Sequence, residues 1–198
     1  MFLPLALAAG LWGCAGPRAS LPVVGAEERA WLVQLHNLGW QLRGRVGVSG
    51  GRDRWHGSLS WEHFRQGDWL TIAGPFGQGG VRIRVREGWI RIYYADGRIR
   101  ESFQPEKLLG QILGIPVPWE ALGYWVLGLP APGKSKAEYD SLGRLRRLDQ
   151  HGWQIEYLRY TVVESGALPA KLVLSGPDGV RLKLIVDRWE TVVGTGNA

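Results

Sequence analysis

The 198-residue chain contains a single cysteine, Cys14, and a single methionine. One cysteine excludes an internal disulfide and any multi-cysteine metal site. The four histidines, His36, His56, His63 and His151, are scattered without metal-ligand spacing. There is no G-x-S-x-G elbow and no phosphate-binding glycine loop. Cys14 lies in the N-terminal arm, away from any histidine that could activate it as a nucleophile. Together these absences argue against an enzyme. No apolar run reaches the roughly 20 residues that a transmembrane helix needs; the stretch over residues 2–13 is about a dozen long, the size of a signal-peptide apolar region.

That stretch ends in Leu11-Trp12-Gly13-Cys14. The pattern predicts a signal peptide over residues 1–13, cut before Cys14, with the cysteine used for covalent lipid attachment. Residues 14–25 carry glycine, proline and serine without apolar periodicity and read as a flexible tether. Each acyl methylene buried in a bilayer contributes about 0.8 kcal/mol, so two or three chains on Cys14 would hold the protein stably.

Against these shortages stands an excess: 11 Trp in 198 residues. Trp is large, and its indole N–H needs a partner when buried, so this many suit a large apolar cavity or a membrane-facing surface. The net charge of +6 and pI near 9.8 fit anionic lipid or nucleic acid and do not choose between them.

Residues 26–37 have helical spacing: Trp31, Leu32, Leu35 and Leu38 form one stripe, Glu27 and Glu28 open it, and Gly39 ends it. From residue 40 to about 103 the period changes to two. Val46 and Val48 alternate with polar neighbours, as do Leu59 and Trp61, Val81 and Ile83, and Ile90 and Ile92. Turn signals at Ser49-Gly50-Gly51, Gln66-Gly67-Asp68, Glu87-Gly88 and Asp96-Gly97 divide the strands. Two short helices follow, one with Leu108, Leu109 and Ile112, the other with Trp119, Leu122, Trp125 and Val126. Residues 131–138 read as a polar loop. Strand patterning resumes over residues 140–148, 153–163, 167–175 and 180–189, with Gly176-Pro-Asp-Gly179 as a hairpin turn. The prediction is one domain over residues 26–190, mainly β with helices, in which a curved antiparallel sheet of about 10–11 strands has helices to cover its concave face. Residues 191–198 read as a disordered tail.

The segment Leu113-Gly-Ile-Pro-Val-Pro-Trp-Glu-Ala-Leu-Gly-Tyr-Trp-Val-Leu-Gly-Leu-Pro130 resembles the hallmark segment of the LolB family. Arg181-Leu-Lys-Leu-Ile-Val-Asp-Arg-Trp189 is similar to that family's final strand, and Leu70-Thr-Ile-Ala-Gly-Pro-Phe-Gly77 to its third strand and following loop. The resemblance implies an unclosed antiparallel β-barrel with a helical lid over a hydrophobic cavity. It implies an outer-membrane receptor, lipid-anchored on the periplasmic face, that accepts acylated lipoproteins from the periplasmic carrier LolA and inserts them into the outer membrane. Ala15 after the cysteine, in place of Asp, agrees with outer-membrane sorting by the same resemblance. The sister carrier is soluble, so Cys14 favours the tethered receiver. No cofactor is implied beyond the covalent diacylglycerol and N-acyl lipid at Cys14. The partners implied are LolA, lipoprotein cargo and outer-membrane lipid, with no nucleic acid and a monomeric state.

From the residues themselves, the inward-facing candidates for an acyl cavity are Val46, Val48, Leu59, Trp61, Val81, Ile83 and Ile92, capped by Leu109, Ile112, Leu122 and Trp125; for each, ordinary core packing is the alternative. The loop Gly74-Pro75-Phe76-Gly77-Gln78-Gly79-Gly80 sets one aromatic among glycines. An aromatic on a tip can enter the acyl boundary of a bilayer, and the family resemblance gives Pro75, Phe76 and Gly77 the role of membrane-insertion loop. Arg82, Arg84, Arg86, Arg91, Arg98 and Arg100 form the densest basic region, either a solvated strand face or an attraction to anionic headgroups. Two other functions stay open on sequence: a structural or lipid-binding envelope lipoprotein without transfer activity, and a basic module for single-stranded nucleic acid.

Overall fold

The N-terminal apolar stripe becomes α1 (Ala26–Leu38) in a computed structural model that describes residues 25–50, 54–74, 79–113 and 117–191. Glu27 and Glu28 sit in its first turn, favourable to the helix dipole. Glu28 also accepts a hydrogen bond from the Ala167 amide at 3.1 Å, which ties the helix to a distant strand. Leu32 and Leu35 are buried. Leu38, expected on the same stripe, is 49% exposed, because the helix ends there and Gly39 turns the chain directly into a strand.

Six strands follow as a meander: β1 (Gly39–Ser49), β2 (Trp55–Phe64), β3 (Gly67–Ala73), β4 (Val81–Arg86), β5 (Trp89–Tyr94) and β6 (Ile99–Ser102). Then come α2 (Pro105–Leu113) and α3 (Trp119–Val126), and five more strands: β7 (Lys136–Tyr139), β8 (Leu145–Gln150), β9 (Trp153–Val163), β10 (Gly166–Ser175) and β11 (Arg181–Thr191). They make one antiparallel sheet of 11 strands in the order β6-β5-β4-β3-β2-β1-β11-β10-β9-β8-β7. The pairing of β1 with β11 joins the two meanders, and the sheet does not close: β6 and β7 are its edges.

One predicted strand starts late, at Leu145. Residues 140–148 were expected to run continuously, but Asp140 captures the chain in a turn. Its Oδ1 accepts hydrogen bonds from the Leu142 and Arg144 amides at 2.9 and 3.0 Å, and its Oδ2 accepts from the Arg144 guanidinium at 2.7 Å. This is the local competition of Asp with the ladder. β7 therefore occupies part of what the polar pattern gave to a loop.

Where β1 meets β11 the register shifts between Arg43 and Gly44. Asp187 is the extra residue of this bulge, and it faces the Arg45 guanidinium at 2.8 Å. Gly44 is required here, since a Cβ would lie 2.1 Å from the Ile185 carbonyl oxygen. The bulge reverses the alternation of β11, so that Trp189 falls opposite buried Leu42 on the inner face with Val186 and Leu184. Trp40, fully buried, has the rings of Trp61 and Trp189 at 5.0 and 5.6 Å, edge to face.

At the end of α3 the Gly128 amide donates to the Trp125 carbonyl and the Leu129 amide to the Tyr124 carbonyl, each at 3.0 Å. With Gly128 at φ 81° this is a Schellman stop, a backbone shape that favours glycine. No described helix is long and apolar enough to cross a membrane.

Candidate functional site

The inner face of β1–β4, β10 and β11 and the undersides of α2 and α3 enclose a cavity of about 90 Å³. All of its lining residues are apolar or aromatic: Val46, Trp55, Leu59, Trp61, Leu70, Ile72, Ile83, Leu109, Val117, Trp119, Leu122, Val126, Leu174, Leu182 and Leu184. A wider and more open depression mixes Val85, Pro105 and Trp119 with the ionisable side chains of Asp68, Arg86, Glu87, Glu106, Lys107 and Glu120, whereas the cavity has no polar side chain in its lining apart from the Trp indoles.

Of the sequence-based cavity candidates, Val46, Leu59, Trp61, Ile83, Leu109 and Leu122 line this space. Val48 and Ile92 are buried and Val81 half-buried, all on the inner face but packed away from the cavity. Trp125, expected to cap it, points to the opposite side of α3 and is held by Gln150. The side chain of Ile112 lies outside the described residues, as do Pro75, Phe76, Gly77 and Cys14. Sequence reasoning missed Trp119 and Val126, which share one face of α3 with Leu122. It missed Leu70 and Ile72 although they alternate cleanly along β3, and Leu174, Leu182 and Leu184, which meet the others only when β11 pairs with β1.

Behind the cavity wall lies a polar chain that joins four elements. Trp61 turns its ring to the cavity and donates its indole N–H to Asp68 Oδ1 at 2.8 Å. The same oxygen is 2.7 Å from His63 Nδ1, while His63 Nε2 is 2.9 Å from the His36 carbonyl oxygen. Both ring nitrogens of His63 thus face acceptors, and both hydrogen bonds form together when the ring carries two N–H groups. His36 stacks on His63 with centroids 5.1 Å apart and lies 3.9 Å from the Tyr124 ring of α3. His36 Nδ1 is buried without a hydrogen-bond partner among the described residues. Among the described residues no three His, Cys, Asp or Glu side chains converge as metal ligands.

Burial, and then the neighbouring His63, push the His36 pKa down to about 4, against a smaller upward pull from Asp68. A histidine whose pKa is depressed on folding binds more protons when unfolded, so its contribution to stability is complete above about pH 6.5 and is lost as pH falls toward 4. Urea midpoints measured between pH 7 and 4 should fall for the native chain and fall less for His36→Gln. Parallel slopes would rule His36 out as the source.

The C-terminal end of α3 is fastened separately. Gln150, 3% exposed, accepts from Trp125 Nε1 and from the Ala131 amide, both at 2.9 Å, and donates to the Ala131 carbonyl at 2.7 Å. Tyr157 Oη donates to the Trp125 carbonyl at 3.0 Å. At the other end the Trp119 amide donates to Glu106 of α2 at 3.1 Å, so the two helices are linked.

The family model described as Outer membrane lipoprotein LolB matches residues 39–189, from the start of β1 nearly to the end of β11. The chain belongs to the LolB family. Among members of that family, it is 39% identical over 193 residues to an outer-membrane lipoprotein LolB of Pseudomonas putida, covering 96% of this chain and 93% of that one. It is 37% identical to the Pseudomonas paraeruginosa LolB, covering 96% and 95%. In structure this LolB-family chain is similar to a LolA superfamily protein of Nitrosomonas europaea, with a TM-score of 0.54 at 9% identity over 82% of this chain and 92% of that one. At that identity the likeness speaks for the fold alone, an open antiparallel sheet with helices between its edges.

Proposed function

We propose that the chain accepts acylated lipoproteins from a soluble carrier of the LolA type, holds their acyl chains in the cavity under α2 and α3, and inserts them into the outer membrane. Cys14, lipidated after removal of residues 1–13, is the anchor, residues 14–25 are the tether, and residues 26–190 are the acting domain. The loop carrying Phe76 enters the bilayer. The work is binding and handover, with no bond made or broken and no cofactor.

The observation that carries this reading is the all-apolar cavity between an unclosed sheet and two short helices. Acyl chains enter such a space because water exclusion drives their burial. Ligand pockets usually measure about 300–1,000 Å³, so a space of about 90 Å³ must enlarge to take a whole acyl chain. Admitting a chain requires α2 and α3 to move. Transfer without a nucleotide fuel must run downhill: the cavity binds more tightly than the carrier and less tightly than the bilayer. Each tenfold step takes about 1.4 kcal/mol, roughly two methylenes of contact, so modest differences in packing suffice.

The test is to incubate a carrier–lipoprotein complex with the full chain bearing Cys14→Ala and to follow the cargo. The expected result is movement of the lipoprotein onto the chain, blocked by excess fatty acid. Cargo that stays on the carrier would leave a lipoprotein without transfer activity.

A further inference from the structure

The outward face of β3–β5 is built from arginine and aromatic side chains in alternating cross-strand positions. Trp69 of β3 is opposite Arg84 of β4, which is opposite Arg91 of β5. One row along, Arg82 is opposite Tyr93, and at the turn Arg86 is opposite Trp89. The guanidinium carbons of Arg84, Arg82 and Arg91 stand 4.6, 5.9 and 4.7 Å from the ring centroids of Trp69, Tyr93 and Trp89. Charge on this face is uneven. Arg91 is paired with Glu101 at 2.8 Å, and Arg86 meets Glu87 only at 4.0 Å. Arg82 and Arg84 have no carboxylate partner among the described residues. Elsewhere on the sheet Arg45, Arg146, Arg147 and Arg188 each have one, while Arg43, Arg159 and Arg181 have neither a carboxylate partner nor an aromatic ring under the guanidinium among the described residues.

A guanidinium laid on an aromatic ring keeps its N–H edge free, and that planar edge matches the oxygens of a phosphate group. Trp and Tyr beside it suit the headgroup layer, where one end of a side chain is apolar and the other wet. β4 begins directly after residues 74–80, so this face adjoins the loop that carries Phe76.

We propose that the outer face of β3–β5 docks on the phosphate-bearing headgroups of anionic lipid, with Arg82 and Arg84 as the contacts. This rests on the reading that the domain works at a membrane, and it is separate from the acyl cavity, whose lining includes neither Arg82 nor Arg84.

The experiment is flotation of the full chain bearing Cys14→Ala with phosphatidylcholine vesicles, plain or containing about a third phosphatidylglycerol. Each arginine near an anionic surface contributes about a fivefold gain, so Arg82→Gln with Arg84→Gln should weaken binding to the anionic vesicles about thirtyfold. Arg82→Lys with Arg84→Lys should retain most of it. Arg146→Gln with Arg147→Gln removes the same charge from β8 and should leave binding nearly unchanged. Millimolar inorganic phosphate should compete poorly, since the surface presents many phosphates at once. Equal binding to plain and anionic vesicles would overturn the proposal. So would an equal loss from the β8 pair, loss of vesicle binding in millimolar inorganic phosphate, or preference for a single-stranded oligonucleotide over vesicles. The carrier-transfer assay, run on the same variants, shows whether a failure belongs to this face or to the function.

Discussion

Replacing Gln150 with leucine should lower the free energy of unfolding by about 3 kcal/mol or more. Leucine fills much of the volume but strands three buried groups that Gln150 satisfies, namely the Trp125 indole N–H, the Ala131 N–H and the Ala131 carbonyl. Each buried group left without a partner costs about 1–3 kcal/mol. Trp125 is fully buried and Gln150 nearly so. Urea unfolding of the two proteins measures the difference directly, and a loss below about 1 kcal/mol would mean that water replaces the amide. Gln150→Glu gives a second, independent signature. The introduced carboxylate still accepts from Trp125 and Ala131 but faces the Ala131 carbonyl without a proton. Burial and that carbonyl raise its folded pKa above the unfolded value of about 4.3. Relative to the native chain, the stability of this variant is therefore greatest below about pH 4 and declines as pH rises through the folded pKa. The opposite slope would show that the carboxylate finds a donor.

Phe76→Glu is expected to leave acceptance of cargo intact and to reduce its delivery into vesicles at least about thirtyfold. β3 and β4 pair as far as Ile72 opposite Val81, so the chain between them leaves and returns at one end of the sheet. A carboxylate in place of an apolar ring at the acyl boundary costs about 2 kcal/mol even at reduced depth, which is about thirtyfold in an equilibrium or a rate. A two-stage assay separates the steps: transfer from carrier to chain in solution, then release into vesicles. Phe76→Leu should behave as the native chain. Normal release by Phe76→Glu would remove this loop from the insertion step.

Strands β1–β5 were legible because one face of each is buried and the other wet, as the alternation of Leu59 and Trp61 with polar neighbours shows. Turn chemistry was legible where glycine marks it and illegible at Asp140, where a side chain rather than a glycine bends the backbone. α3 posed a different problem. Its sequence Trp-Glu-Ala-Leu-Gly-Tyr-Trp-Val is apolar nearly all round, so periodicity cannot tell the face toward the cavity from the face toward Gln150, and Trp125 was assigned to the wrong one. Leu174, Leu182 and Leu184 were readable as strand residues but not as neighbours of Leu59, since that proximity depends on β1 pairing with β11 across most of the chain. The polar chain of His36, His63 and Asp68 left no trace in spacing, because its members come from α1, β2 and β3.

The two free edges of the sheet have a topological consequence. An acyl chain on a lipoprotein is covalently fastened to a folded polypeptide, which cannot be threaded through a closed ring of strands. β6 and β7 leave a seam along the length of the sheet, and the segment that crosses it is the one bearing α2 and α3. Under the proposed function, cargo enters and leaves sideways through that seam while its protein part stays outside, and no strand pairing has to break. Loading and unloading then need only the displacement of two short helices.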